Sequence, residues 1–372
     1  MTVKRKYFPT IVIGMLLLLS SLSFQSVFVN ASDEENPKES MSFNMTVDIP
    51  DNQINKSASY FDLLVKPNSE QDLTLTVSNT GSMPKTLRVT PTDATTNQNG
   101  VIDYSVTDKK DQVDSTLKIP FTSLVSQAQE VEVAPGDKKE LTFKLKTPSE
   151  PFKGLILGGF VADIPSSNDD KQNSKGIKIT NKFQLVKAVM LRSEEEKIDP
   201  DLVLNDVKPN LVSYRTAVTA NLQNTQPVMF GKMSVDAKIT KKGSNKVIRQ
   251  SSKENMEMAP NSNFDYAILW DNEPLKPGNY TLNLVAKSGK HEWPFTKDFS
   301  IAKEDSDKLN KEAVELTDEN NIPMWVWMLI AVLVLIIVIL AIVYFKNKAT
   351  KEKAKKKKRP SSKKKKTKKT RD

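Results

Sequence analysis

The chain has 372 residues, 38% of them hydrophobic, with 55 Lys and Arg against 45 Asp and Glu, a formal net charge of +10, one histidine and no cysteine. Without cysteine there are no disulfides, thiolate metal sites or cysteine nucleophiles, and a single histidine leaves a Ser-His-Asp system close to excluded. The positive charge is concentrated at the C-terminus, where residues 346–372 hold sixteen Lys or Arg against Glu352 and Asp372. The overall basicity is therefore not read as nucleic-acid binding, and the segment between the two ends is mildly acidic.

The N-terminus reads as a cleavable export signal. Lys4, Arg5 and Lys6 precede an apolar run from Ile11 to Leu19, and Val29-Asn30-Ala31 suits a signal peptidase. Residues 1–31 are expected to be a signal peptide, cut between Ala31 and Ser32. Strand patterns follow. Leu73, Leu75 and Val77 alternate with Asp72, Thr74 and Thr76, and Leu141, Phe143 and Leu145 alternate with Thr142, Lys144 and Lys146. Each alternation predicts a half-buried strand. Asn79-Thr80-Gly81-Ser82, Asn99-Gly100 and Pro135-Gly136-Asp137 supply the chemistry of tight turns.

Gly154 to Ile164 is apolar and glycine-rich and predicts a central strand. The polar connector Ser166 to Gly176 follows, and then Phe183 to Leu191 predicts a further strand that can return as a hairpin onto the central one. A first domain is expected over 41–165, or to 191. The second runs over 177–303, or from 199, and Ser193 to Pro200 is the better linker by composition. Within this second half Met233, Val235, Ala237 and Ile239 alternate, as do Tyr280, Leu282, Leu284 and Ala286, while Trp293, Phe295, Phe299 and Ile301 share a face. Gly243 and Pro277-Gly278 mark the turns. The expected fold class is an all-β ectodomain of two tandem Ig-like β-sandwich domains followed by one C-terminal transmembrane helix.

Residues 304–323 read as a charged stalk. Met324 to Phe345 has 22 residues without a charge, ample at about 1.5 Å per residue for a hydrocarbon core of roughly 30 Å. Trp325, Trp327 and Tyr344 stand at its two ends as membrane-interface anchors. The Lys-rich 346–372 is the expected cytoplasmic tail, with the ectodomain outside the cell.

The chemistry along the chain points to binding rather than catalysis. His291 stands alone beside Glu292 and Trp293. The acidic residues are scattered without a pair that stands out as a glycosidase would need. Asn168-Asp169-Asp170, and Asp103 near Asn97 and Asn99, fall short of the six or more ordered oxygens of a calcium loop. No cofactor, metal or catalytic residue is expected. Glycan sites use aromatic rings and amide side chains on rigidly held loops. Tyr60, Asn97, Asn99 and Tyr104 are accordingly glycan-binding candidates, against the alternative of a structural loop whose Asn99-Gly100 turn needs positive φ. Val228, Met229 and Phe230, with Met256 and Met258, are partner-binding candidates, against the alternative of core packing.

Longer strings carry a resemblance. SYFDLLVKP (Ser59 to Pro67), TTNQNGVIDYS (Thr95 to Ser105), VAPGDKKELTFKLKTP (Val133 to Pro148) and EPFKGLILGG (Glu150 to Gly159) resemble the first domain of the WxL-interacting protein family of Gram-positive bacteria. DPDLVLNDVKPNLV (Asp199 to Val212), RTAVTANLQNTQP (Arg215 to Pro227) and ENMEMAPNSNFDYAILW (Glu254 to Trp270) resemble its second. The resemblance implies a non-enzymatic cell-surface protein whose first domain binds peptidoglycan. Its second would bind host extracellular-matrix proteins, beside surface proteins that carry a Trp-x-Leu motif. The chain has no Trp-x-Leu string itself, Trp293-Pro294-Phe295 being the nearest, and no LPxTG motif precedes the span. A membrane helix, rather than a covalent wall link, is thus the expected anchor. The rival reading is a wall-processing or assembly factor, either a carboxylate-dependent glycan hydrolase or a pilus-type chaperone.

Overall fold

The computed structural model describes residues 42–106, 113–165, 183–316 and 324–357, the last stretch with side chains at 325–348. The signal peptide with Ala31 and Ser32, the connector Ser166 to Gly176 with its Asn168-Asp169-Asp170 string, and the tail beyond 357 lie outside the described residues. By contacts the chain divides into two compact units. The first gathers residues 1–203, 222–233 and 255–264, and the second gathers 204–221, 234–254 and 265–372.

The strands run in chain order as β1 (Phe43–Val47), β2 (Phe61–Leu64), β3 (Glu70–Asn79), β4 (Lys85–Asp93), β5 (Thr95–Thr96), β6 (Ile102–Asp103), β7 (Gln129–Val133), β8 (Lys138–Lys146), β9 (Ile156–Asp163) and β10 (Leu185–Arg192). They form a three-stranded sheet, β1-β3-β8, a five-stranded sheet, β2-β10-β9-β4-β7, and the small hairpin β5-β6. The alternation read in the sequence explains the layering, because successive strand residues point to opposite faces. Met45, Leu73, Leu75, Val77, Phe143 and Leu145 from the first sheet meet Phe61, Leu63, Leu87, Val89, Phe160 and Val189 from the second in one buried cluster. Each such side chain contributes roughly 1.5–3 kcal/mol by leaving water, which is how a chain without disulfides holds this unit together.

The glycine-rich stretch is the central strand, β9, flanked by β10 and β4. Its glycines make room for rings. A Cβ on Gly158 would fall 2.3 Å from Phe121 Cδ1, and one on Gly159 would fall 2.9 Å from Tyr104 Cδ1. Phe121 in turn meets Phe160 edge-on at 5.7 Å. Strand β10 returns antiparallel onto β9, pairing Val189 with Gly158. It also pairs in parallel with β2, Val189 opposite Phe61 and Arg192 opposite Leu64. The segment 185–192 thus belongs to the first unit's sheet. Asp62 and Arg192, neighbours across that parallel pair, form a half-buried ion pair.

Seven further strands follow: β11 (Leu202–Val212), β12 (Arg215–Asn224), β13 (Phe230–Lys241), β14 (Val247–Met258), β15 (Ser262–Leu269), β16 (Gly278–Ser288) and β17 (His291–Ile301). Their sheets are β11-β12-β15 and β14-β13-β16-β17. In the second unit Val218, Ala220, Val235, Ala237, Ile239, Leu282, Leu284 and Ile301 are buried. An aromatic series stands among them. Arg249 lies over the Trp270 ring at 5.0 Å, Trp270 meets Tyr280 edge-on at 6.0 Å, and Tyr280 stacks on Phe299 at 5.5 Å. Strands β11 and β12 are joined by two residues only, Ser213 and Tyr214, with φ of 50° and 60°, as the tightest hairpin turns require.

The stretch expected as a stalk begins with a helix, α1 (Lys303–Glu312). Glu304 and Asp305 occupy its positive N-terminal turn, Lys311 its last turn, and Lys303 pairs with Asp307 at 2.7 Å, all favourable to a short helix. Asn310 fastens it, since its Oδ1 accepts from Leu275 N–H at 2.8 Å and its Nδ2 donates to Leu275 O at 2.9 Å. The last element is α2 (Met324–Lys357), which contains one stretch, Trp325–Lys348, long and apolar enough to cross a membrane. Trp325, Trp327 and Tyr344 are exposed on it.

Candidate functional site

The first unit presents two surfaces of different chemistry on its two sheets. On the outer side of the five-stranded sheet, Ala94, Leu155, Leu157, Met190 and Ala259 form an apolar cluster, and Tyr60, Ile102 and Tyr104 pack against it half-buried. Burial pushes the Tyr104 phenol up to about 12, with Glu257 and then Tyr60 adding to the effect. Of the four glycan-binding candidates, the two tyrosines are therefore brought together, as packing rings on this cluster.

Asn97 and Asn99 sit in the turn of the β5-β6 hairpin. Asn97 Oδ1 accepts from the N–H groups of Asn99 at 2.9 Å and Val101 at 3.3 Å, while Asn97 O accepts from Gly100 N–H at 2.9 Å. Gly100 has φ of 70°, and a Cβ there would approach Met256 at 3.0 Å. This loop is held by its own polar groups. Thr96 Oγ1 continues the support, accepting from Ala259 N–H at 3.0 Å and lying 2.6 Å from Ser262 Oγ.

Two polar pins were not legible as such in the sequence. Asp114, buried, accepts from Thr116 N–H and Thr116 Oγ1, from Gln223 Nε2 at 2.8 Å and from Asn263 Nδ2 at 2.6 Å. Burial raises its pKa, but the hydrogen bonds from Asn263, Thr116 and Gln223 outweigh that and hold the carboxyl below its ordinary value. The second pin occurs twice. Buried Asn79 donates to Met83 O at 2.7 Å and Val133 O at 2.9 Å and accepts from Gly81 N–H at 2.9 Å. Buried Asn224 donates to Val228 O at 2.7 Å and Ala259 O at 2.9 Å and accepts from Gln226 N–H at 3.2 Å. The available signal was the Asn-Thr pair shared by Asn79-Thr80 and Asn224-Thr225.

The second surface is the outer face of β1-β3-β8, which no sequence candidate touched. Register sets Thr46 opposite Thr76 and Asn44 opposite Ser78 across β1-β3. Across β3-β8 it sets Thr74 opposite Thr142, Thr76 opposite Glu140 and Ser78 opposite Lys138. Hydroxyls and one amide thus lie side by side over three strands, Thr74 Oγ1 being 3.4 Å from Thr142 Oγ1. The ion pairs Asp72–Lys144 at 3.8 Å and Glu70–Lys146 at 3.4 Å border this band at one end. The result is a row of hydroxyls across β1 and β3, joined by Thr142 on β8 and flanked there by the charged Lys138, Glu140 and Lys144. Single strands advertise this face only as alternating Thr; the strip exists because the register aligns three of them.

Among the partner-binding candidates, Met256 and Met258 are buried at 2% and 0%, Val228 and Phe230 are half-buried, and Met229 is exposed at 41%. His291 stacks on Trp293 at 5.7 Å between centroids. Among the described residues no three His, Cys, Asp or Glu side chains converge to hold a metal.

Residues 43–163 match the family described as "WxL Interacting Protein, peptidoglycan binding domain", and residues 174–311 match "WxL Interacting Protein, host binding domain". No curated protein matches the chain. Among solved structures, similarity is found to the Pseudomonas aeruginosa CupB2 chaperone, at 15% identity over 64% of this chain and 97% of that one, with a TM-score of 0.25. The E. coli chaperone DraB gives 15% identity over 70% and 97% at a TM-score of 0.25. A chaperone-tip adhesin complex of CFA/I fimbriae biogenesis gives 11% over 69% and 98% at 0.26. Overlap at these scores carries no functional argument.

Proposed function

Because this chain belongs to the WxL-interacting protein family, we propose that it is a membrane-anchored member: a cell-surface binding protein that holds peptidoglycan with its first family segment and a protein partner with its second. The observation that carries the reading is the order of the two matches, a peptidoglycan-binding domain over 43–163 and then a host-binding domain over 174–311, ahead of one apolar helix. The protein partners are host extracellular-matrix proteins or surface proteins with a Trp-x-Leu motif. Both domains are taken as Ig-like sandwiches; because β10 lies within the second match yet pairs with β9 and β2, the boundary between them is placed at Ser193 to Pro200. The anchor is α2, with Trp325, Trp327 and Tyr344 at the two interfaces, the signal peptide removed before Ser32 and the Lys-rich end in the cytoplasm.

Within this reading the glycan contact is the strip of Thr46, Thr74, Thr76, Ser78 and Thr142. Sugars offer hydroxyls on a repeating chain, and this row meets them with neutral donors and acceptors, while Glu140 and Lys138 beside it can stay hydrated at its edge. Asn97, Asn99, Tyr60 and Tyr104 shape the opposite face of the unit. Met229, flanked by Val228 and Phe230, is the proposed protein contact, Met256 and Met258 being buried.

Sedimentation with insoluble peptidoglycan tests the reading. The full chain should pellet without releasing soluble muropeptides, and Thr74→Lys with Thr142→Lys should weaken pelleting several-fold while leaving the unfolding transition in place. Released fragments would point to a hydrolase instead. Pelleting unaffected by the lysines would remove the strip but leave the wall-binding role standing.

A further inference from the structure

Tyr214 is exposed at 70%, and among the described residues ahead of α2 it is the only exposed aromatic side chain. It also sits in an uncomfortable backbone. With Ser213 it forms the whole β11-β12 connection, both residues left-handed at φ of 50° and 60°, a turn that favours glycine and asparagine because they tolerate that region without strain. Neither packing nor turn chemistry accounts for a large aromatic there.

The surroundings point to its occupant. Val314 N–H donates to Tyr214 O at 2.9 Å, and Arg215 pairs with Glu315 at 2.8 Å, so the chain leaving α1 is stitched to this hairpin tip. Val314 is itself exposed at 48%. Leu269, exposed at 47%, is the neighbour of Trp270, whose N–H donates to Thr216 O at 2.9 Å. An aromatic and two aliphatic side chains are thereby gathered at one end of the second unit. The acids beside them are paired, Glu315 with Arg215, and Asp271 and Glu273 both with Arg249; one acid is left in excess, so what this end offers an anionic surface is apolar contact and not attraction of charge.

Chain length then fixes what lies within reach. From Val314 the apolar helix α2 begins ten residues on, at Met324, a leash of at most about 35 Å even fully extended. A tyrosine ring, apolar in body and wet at its hydroxyl, is suited to the lipid headgroup layer.

We propose that the Ser213–Tyr214 tip is a lipid-contacting foot, with Tyr214, Val314 and Leu269 resting on the membrane surface beside the point where the chain enters it. The proposal rests on the membrane-anchor reading of α2. It gives the second unit a fixed end toward the bilayer and leaves its β16-β17 turn, at Gly289 and Lys290, pointing away from the lipid.

The absence of cysteine makes the test direct. Full chain carrying Ser213→Cys, Lys290→Cys or Ile336→Cys, each labelled with a fluorescent dye, is reconstituted into vesicles of equal parts phosphatidylcholine and phosphatidylglycerol that contain a nitroxide-bearing lipid as quencher. Quenching is expected at 336 and at 213 but not at 290, unchanged by added salt because the contact is apolar. It should be lost at 213 when Tyr214→Ala is added. Quenching at 336 without quenching at 213 overturns the foot and leaves the anchor intact. No quenching at 336 overturns the anchor and the foot together. Quenching at 213 that persists in Tyr214→Ala removes the tyrosine from the role.

Discussion

Asn79 and Asn224 do the same work in two places: each closes a loop with two donated hydrogen bonds and one accepted one, of which the bonds to Val133 O and Ala259 O are fully buried. Replacing either by alanine strands one carbonyl in the interior, Val133 O or Ala259 O, and an orphaned buried polar group costs roughly 1–3 kcal/mol. Asn224→Ala should therefore lower the urea midpoint by the equivalent of at least one such group, whereas an exposed Asn99→Ala should be near neutral by the same measurement. Asp114 gives a pH-dependent counterpart. Its hydrogen bonds hold the carboxyl below the ordinary value, so the unfolded chain takes up the proton first as acid is added. The stability it supplies is complete above about pH 4 and is lost as pH falls through the lower folded value. Urea midpoints followed from about pH 6 to about pH 3 should show Asp114→Asn weaker than the parent chain at the upper end and the gap narrowing at the lower.

At the scale of elements, β9 is where sequence and structure agree best and where one further step was hidden. The apolar, glycine-rich stretch is legible as a central strand, and its two neighbouring glycines face opposite sides of the sheet. What the sequence could not show is that each glycine is matched to one ring. An alanine at 158 would place its Cβ within 2.6 Å of three Phe121 atoms in the core, whereas at 159 the nearest atom is on half-buried Tyr104, at 2.9 Å. Gly158→Ala should cost about 1–3 kcal/mol as core overpacking and Gly159→Ala less, ranked by thermal unfolding of the two variants. The alternations at 72–77 and 141–146 were equally legible, since period-two burial is written locally. Partner choice was not. The hydroxyl strip depends on which Thr stands opposite which, and the Asp114 hub joins residues far apart in the chain, so neither leaves a local trace. The helix at Lys303–Glu312 was missed for another reason: it lacks an apolar stripe and is fastened by Asn310 instead.

On the scale of the whole molecule, the proposed function divides the labour: two matched segments hold and a long apolar helix tethers. A chain ending at Leu316 should be recovered from the soluble fraction of cells, and the full chain from the membrane fraction; fractionation with detection of the ectodomain decides it, and a truncated chain that stayed with the membrane would count against α2 as the anchor. The candidates Met256 and Met258 show why the partner side was hard to read, because a methionine at alternating positions fits an adaptable surface and a strand's inner face alike, and here both are inside. The pairing of β2 with β10 has a last consequence, for timing. Residues 61–64 lie beside 189–192, so under the proposed export, N-terminus first, an early strand would emerge while its mate is still queued far behind. Such long-range closure is slow and leaves a raw edge meanwhile. Under that proposal a half-emerged chain would be a natural target for envelope proteases, and the first unit's sheet could close only after Arg192 has cleared the channel.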